Sequence, residues 1–490
     1  MARSSKFDWK EVTDLAGRPL KKELNPFGVH PLNDCWDAVA ESVITILNHK
    51  DVQWTSIDAV RIGYQNGQAF PILWIAVRPK SLSGEDGLQI ARKCKGVLEV
   101  NSILDVQCEI REAERLSTTR PVLLKSDQPR CPTADLQVSL TTSLGTSISP
   151  VNYPYVEGTF GFYISSNNRL FGVTARHVVL PCNEVCNDEY RVDSASQAVQ
   201  PLMLPGDAAL GRMKCVAERE RGNYTESMEL LEKRGRSARQ TGNIKGTLEN
   251  FRKEIIKLDK LIKDLDEWEP RGSREVGHAV FSPPISADED TSYTIDWCVS
   301  EISSSKIDPT NFVGNVIDLG SKVDGKKLQS MLNAHPESRP RFSYPTNGQL
   351  SVRGIIPIDE MKHPQMLDVN GKRCLLVLKR GSATGLKLGR ANQIIPITRD
   401  YVKDGTMVTA NEWAIFGYNE KMGPFSAPGD SSALIVDAIG RMGGLLNAGS
   451  GLTVTTDLTY ATPMEFLLPH MEKTWKEKFD INPGPLEGRK

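Results

Sequence analysis

Several things are scarce in this chain of 490 residues. Net charge is nearly absent: 60 Lys and Arg stand against 61 Asp and Glu. That balance offers no global field to hold nucleic acid or an anionic membrane. No apolar run approaches the ~20 residues a membrane-spanning helix needs, so no membrane span is expected. The opening residues, Met1-Ala-Arg-Ser-Ser-Lys-Phe-Asp-Trp-Lys, lack an apolar h-region, and no secretory signal is expected. Cysteine is sparse and odd in number, nine in all. This reads as reduced thiols in an intracellular protein, cytoplasmic or nuclear, rather than a disulfide framework. Cys182 and Cys186 stand close, but no second Cys or His pair lies at zinc spacing. Neither a metal nor a cofactor is expected.

What is present is ordinary globular material, 39% hydrophobic and 25% charged, enough to build a large core and to exclude wholesale disorder. Residues 1–31 mix Pro, Gly and charge without periodicity and read as loose. Then Trp36, Val39, Ala40, Val43, Ile46 and Leu47 recur at helical spacing behind an Asn33 or Asp34 cap. A strand-like run ends at Tyr64. Asn66-Gly67 marks a hairpin turn, and the apolar run 72–77 follows. Ser83 with Asp86 resembles a capping box opening a helix to about Leu98, and 105–111 reads as a strand. The order α-β-β-α-β predicts a small α/β sandwich over 32–116, a regulatory or docking unit without a catalytic constellation.

Residues 117–150 turn Ser-, Thr- and Pro-rich, with 117–134 as linker. Leu136, Val138 and Leu140 alternate at strand period, predicting the first strand of a new unit. Thereafter short β runs (160–164, 170–173, 294–302, 374–379, 413–418, 433–436, 442–446) are broken by Gly, Pro, Asn and Asp, which predicts an all-β barrel or sandwich. One segment departs from this texture. Ile244, Leu248, Phe251, Ile255, Leu258, Ile262 and Leu265 form a heptad stripe, and Tyr224, Met228 and Leu231 precede it at the same spacing. Residues 213–268 are therefore expected to be an antiparallel helical hairpin inserted in the β unit. It is either a spacer packed on itself or a surface for a protein partner or self-association. Residues 471–490 read as a tail.

Three short motifs in the β-rich part carry chemistry. His177 ends a strand-like run in Thr174-Ala-Arg-His177. Asp296 opens an alternating segment in Tyr293-Thr-Ile-Asp296-Trp. Ser431 sits in the bent turn Gly423-Pro-Phe-Ser-Ala-Pro-Gly429-Asp430-Ser431-Ser432. A Ser hydroxyl needs an adjacent base to become a nucleophile. A His can take that proton and return it to the leaving group. A carboxylate orients the imidazole and stabilises its charged form. Backbone N–H groups must meet the oxyanion, and Gly429 permits the backbone conformation that aims its N–H beside that of Ser431.

Taken together, Thr174-Ala-Arg-His177, Asp296 at a strand start and Gly429-Asp-Ser431 resemble the trypsin-like (chymotrypsin-fold) serine proteases, in an intracellular, fungal-type branch. The resemblance covers about residues 135–470. Gly443-Gly-Leu-Leu-Asn447-Ala448-Gly449 looks like the strand lining that family's substrate groove. Tyr460-Ala-Thr-Pro463 looks like its closing strand, and Lys379-Arg-Gly-Ser-Ala-Thr-Gly385 like one of its hairpins. The resemblance implies a multi-domain α+β chain: the N-terminal sandwich, then an all-β double β-barrel with the helical hairpin inserted. It implies His177 as general base and acid, Asp296 as its orienter and Ser431 as nucleophile. Gly429 and Ser431 N–H groups form the oxyanion hole, and Asp430 is the buried acid propping the turn.

There are departures. Ser432 and Ala433 replace the usual glycine after the nucleophile. Asp207, in Pro205-Gly-Asp207-Ala, is a rival orienter, although the Gly and Pro before it read as a turn. By the resemblance the pocket base is Phe425 beside Ser426, with Asn447, Ala448 and Gly449 as its wall. No acid stands there, so a neutral P1 side chain of small to medium size is expected. Secreted relatives set the Asp beside the nucleophile with a freshly cut N-terminal amine, and no such cleavage sequence precedes this barrel. The expected function is an intracellular serine endopeptidase acting on protein or peptide substrates through an acyl-enzyme, with residues 1–125 restraining or directing it. A catalytically silent scaffold that binds partners through the helical hairpin is the alternative. A nucleic-acid adaptor is disfavoured for want of charge and of a stacking or zinc motif.

Overall fold

The computed structural model describes residues 2–4, 22–64, 68–78, 81–112, 115–116, 136, 140–193, 197, 199–235, 241–303, 306–307, 312–320, 323–401, 407–451 and 457–484. The fold is mixed α+β and rich in sheet, with one closed six-stranded barrel and a half-barrel. The expected Asn66-Gly67 turn and the whole 117–134 linker lie outside the described residues.

The N-terminal unit is a sheet carrying two helices on one face. Its central strand, Trp54–Tyr64, pairs antiparallel with Phe70–Val77, which pairs parallel with Gln107–Glu112. Side chains alternate along both inner strands. Ile57, Ala59, Leu73 and Ile75 face the helices Leu32–His49 and Gly84–Val100, meeting Trp36, Val39, Val43 and Leu98. Val60, Ile62, Ile72 and Trp74 face the other way, onto Ala414, Phe416, Ala448, Leu458 and Tyr460 of the barrel. A sheet buried on both faces needs continuous apolar strands, which accounts for the unbroken run 72–77. The hairpin Ile397–Tyr401 and Met407–Asn411, drawn from the β-rich part of the chain, extends this same sheet by pairing Ile397 with Ile57.

Details of this unit differ from expectation. Segment 1–31 is not uniformly loose. Ala2–Arg3 and Lys22–Asn25 are strands of the sheet, and Phe27 is buried. The first helix has no side-chain cap from Asn33 or Asp34 and starts behind Pro31. Instead the His30 ring accepts the Leu32 N–H at 3.1 Å, an aromatic nitrogen doing the work of a cap oxygen. Ser83 does cap the second helix, accepting from the Asp86 N–H.

The barrel comprises Leu376–Gly381, Gly385–Ala391, Trp413–Gly417, Leu434–Asp437, Met442–Ser450 and Leu458–Pro463. It closes because Leu434–Asp437 pairs on both sides, with the first and the fifth of these. The half-barrel is an open sheet of Ser147–Pro150, Gly158–Thr159, Phe162–Ser166, Arg169–Thr174, Pro201–Met203, Glu275–Ser282 and Cys298–Ile302, with Tyr190–Arg191 on its margin. One continuous core runs through both, from Phe160, Val173 and Trp297 to Leu378, Ile415 and Leu434. The helix Met464–Trp475 runs past the boundary drawn at 470 and buries Met471 and Trp475 against it. Leu140 belongs to no strand; it packs at the foot of the helical arm.

That arm is the helix pair Asp207–Gly235 and Thr241–Glu267, starting at Asp207 rather than 213. The heptad stripe finds its partner within the chain. Leu258, Leu261 and Leu265 bury against Ala209, Leu210, Met213 and Ala217, and Phe251 meets Tyr224 with ring centroids 5.6 Å apart. Charges rim this seam, Arg221 with Asp259 and Lys214 with Asp266 and Glu269. Among the described residues no helix is long and apolar enough to cross a membrane.

Candidate active site

His177 lies in a single helical turn, Arg176–Val179, directly after the strand Arg169–Thr174. Arg176 fixes that turn from below: it is buried and donates to the carbonyls of Cys186, Asp188 and Ser282. The segment read as one strand over 294–302 is two, Thr294–Ile295 and Cys298–Ile302. The break leaves Asp296 in irregular backbone with its carboxylate aimed at His177. Asp296 Oδ2 is 2.5 Å from His177 Nδ1, and Oδ1 accepts the His177 backbone N–H at 3.1 Å. An ionised carboxylate only accepts, so Nδ1 carries the proton and the neutral ring keeps its lone pair on Nε2. Nε2 is buried and makes no hydrogen bond among the described residues, so the Ser431–His177 bond is not formed in this structure.

Asp207 is not part of this group. It starts the arm helix and is held by Arg271 and by Arg274, 2.8 Å away. Burial raises its pKa, but the hydrogen bonds from these two guanidinium groups outweigh that and leave it below the usual value.

Ser431 sits in the tight turn before the strand Leu434–Asp437 and is buried. Its carbonyl accepts the Thr159 N–H at 2.8 Å, tying the turn to the half-barrel. Ser432 occupies the left-handed region at φ +74°, where a glycine would be unstrained. Its side chain is accommodated by a bond, since Ser432 Oγ accepts the Ala175 N–H at 2.8 Å, two residues from His177. Gly429 takes φ +107°, open only to glycine without strain. The Gly429–Asp430 peptide is pinned at both ends. Its carbonyl accepts from Thr159 Oγ1 and Ser382 Oγ, each at 2.8 Å, and its N–H donates to Ala427 O.

Asp430 is fully buried beneath the turn. Oδ1 accepts the N–H groups of Ala383 and Thr384, and Oδ2 those of Ala427 and the Thr384 hydroxyl. Lys379, also fully buried, places its ammonium 2.5 Å from Oδ2. By sequence Lys379 is only one residue of the hairpin Lys379–Gly385. Lysine is rarely interior, and nothing local signals its partner 51 positions away.

The proposed pocket residues divide. Ser426 and Gly449 stay together and half-buried, with Ser426 Oγ 2.6 Å from Thr459 Oγ1. Phe425 does not line an open base; it is a core side chain, 2% exposed, packed against Gly389. Ala448 faces the N-terminal sheet. The Asn447 amide turns away from any wall and donates to both carboxylate oxygens of buried Glu412, which also accepts from Thr294 Oγ1. Strand alternation explains this: in Met442–Ser450 only the backbone edge is left to form a wall. That edge is met at Gly449 and Ser450 by an antiparallel pairing with Leu116 and Arg115, at the exit of the N-terminal unit. Comparison with protein-family models finds no match, and none is found among curated proteins either.

Proposed function

We propose that this chain is a serine endopeptidase of chymotrypsin type, with the closed barrel and the half-barrel as the two halves of its double-barrel domain. The observation that carries this reading is a pair of attachments. Asp296 holds the Nδ1 face of His177, while the Ala175 N–H holds the turn that bears Ser431. In this reading His177 Nε2 takes the Ser431 proton as Oγ attacks a peptide carbonyl, forming a tetrahedral oxyanion. The backbone N–H groups of Gly429 and Ser431 receive that oxyanion. His177, now charged and stabilised by Asp296, returns the proton to the leaving amine, and water repeats the sequence on the acyl-enzyme. The Ser431–His177 bond, absent here, closes when substrate arrives, as such bonds often tighten only in the complex. The substrate backbone adds at the edge of Met442–Ser450 near Gly449, displacing the Arg115–Leu116 pairing that occupies Gly449 and Ser450, with a small neutral P1 side chain directed toward Ser426 and Gly449. Cytoplasmic or nuclear residence accords with the reduced thiols.

A fluorophosphonate probe tests this. Covalent labelling of the wild type that disappears in Ser431→Ala supports the peptidase. Absence of labelling in well-folded protein would turn the choice to the second reading, a catalytically silent scaffold.

A further inference from the structure

In the pair Lys379–Asp430 both side chains are wholly buried, whereas pairs such as Arg3–Glu109 and Lys214–Asp266 keep one partner in contact with solvent. An isolated carboxylate in such a place would give up its charge or leave for water. Around Asp430 both carboxylate oxygens accept hydrogen bonds, and a Lys side chain from within the chain stands against Oδ2. The hairpin that delivers Lys379 wraps the carboxylate so closely that a side chain at Gly381 would collide with both Asp430 Oδ1 and Lys379 Nζ. Thr384 completes the ring, accepting from Lys379 Nζ at 2.6 Å and donating to Asp430 Oδ2 at 2.6 Å. The same hairpin reaches the peptide that follows Gly429, through Ser382 Oγ. The backbone on which the oxyanion donors sit is thus clamped by residues 379–384 on one side and by Thr159 on the other.

Removing one member of a buried pair leaves the other charge uncompensated. Without Lys379, Asp430 would turn outward and carry the Gly429–Ser431 backbone with it. We infer that Lys379 is a positioning residue whose ammonium serves as the built-in counter-charge that sets the nucleophile turn, so that the uncut chain is competent as made. This rests on the peptidase reading and names how that site is switched on: by folding, with no cleavage of the chain. Lys379 touches no reacting atom; it acts through Asp430.

The test uses the full chain, with its mass confirmed before and after each assay. Intact wild type is expected to label with fluorophosphonate at Ser431 and to turn over a peptide without any new fragment appearing. Lys379→Ala is expected to lower kcat and the labelling rate at least tenfold while KM stays within threefold. Added n-propylammonium, which replaces the missing carbons and charge, is expected to restore the rate saturably, and 1-propanol is not. A purely structural lysine would not give charge-selective rescue. Equal labelling of folded Lys379→Ala and wild type would overturn the inference and leave the peptidase reading standing. So would wild type that labels only after a cut, a result that needs no variant to fold. If wild type never labels, cut or uncut, the peptidase reading fails and the inference with it.

Discussion

Ser432 Oγ accepts a hydrogen bond from the backbone N–H of Ala175 at 2.8 Å, across 257 positions of sequence. This bond joins the turn of the candidate nucleophile to the turn of the candidate base, and it is made by a residue in the left-handed region. Two costs can therefore be separated by substitution. Ser432→Ala keeps the strain and leaves the buried Ala175 N–H unpaired, a loss of about 1–3 kcal/mol. Ser432→Gly loses the same bond but relieves backbone strain of about 1–2 kcal/mol. Urea melts are expected to place both wild type and Gly above Ala. Ala matching wild type would mean the bond contributes nothing.

The two candidate orienters make opposite predictions. Asp296→Asn disturbs the His177 tautomer and is expected to reduce turnover by on the order of 10⁴-fold with little change in melting temperature. Asp207→Asn breaks pairs with Arg271 and Arg274 and is expected to lower the melting temperature while kcat/KM stays within twofold. Steady-state kinetics and thermal melts on both variants decide. The crossed result would transfer the orienting role to Asp207.

Acid sensitivity should appear near His470. The Trp297 indole N–H donates to His470 Nδ1 at 3.2 Å, one residue from Asp296. Burial lowers the His470 pKa, Asp288 opposes this and Lys473 adds to it. The unfolded chain therefore binds this proton at higher pH than the folded one. The contribution to stability is complete above about pH 6.5 and is lost as pH falls through the lowered folded value. Between about pH 7.5 and 5 the melting temperature of His470→Asn is expected to fall less than that of wild type. Parallel curves would remove His470 as the cause.

The N-terminal unit is expected to be inseparable from the barrel. Trp74 and Val60 share a core with Phe416 and Tyr460, and the Tyr460 hydroxyl donates to buried Asp58 Oδ1 at 2.9 Å. A chain beginning near Cys131 would expose that apolar surface, so it is expected to be insoluble rather than a freed peptidase. Tyr460→Phe leaves Asp58 with one donor fewer and is expected to destabilise both units together by about 1–3 kcal/mol, in one transition. Two separate calorimetric transitions, or a soluble truncated barrel, would show that the shared core is dispensable.

The parts legible in the sequence were those written by neighbours along the chain. Short apolar runs broken by Gly, Pro, Asn and Asp marked the barrel strands, heptad spacing marked Leu258 and Leu265 as seam residues, and His177, Asp296 and Ser431 stood out through the three motifs that hold them and their joint order along the chain. A backbone responds first to its nearest residues, so such signals are local. What only the tertiary structure decided were the partners of residues far apart. The run 72–77 reads as a hairpin strand, but not as one covered on its second face by Tyr460 and Phe416. Lys379 reads as an ordinary strand lysine until the fold seals it against Asp430. Asn447 reads as a groove wall until Glu412 turns it inward. Burial depends on what other segments bring to a place, and a charge or amide changes its role with that burial; composition and spacing carry no record of either.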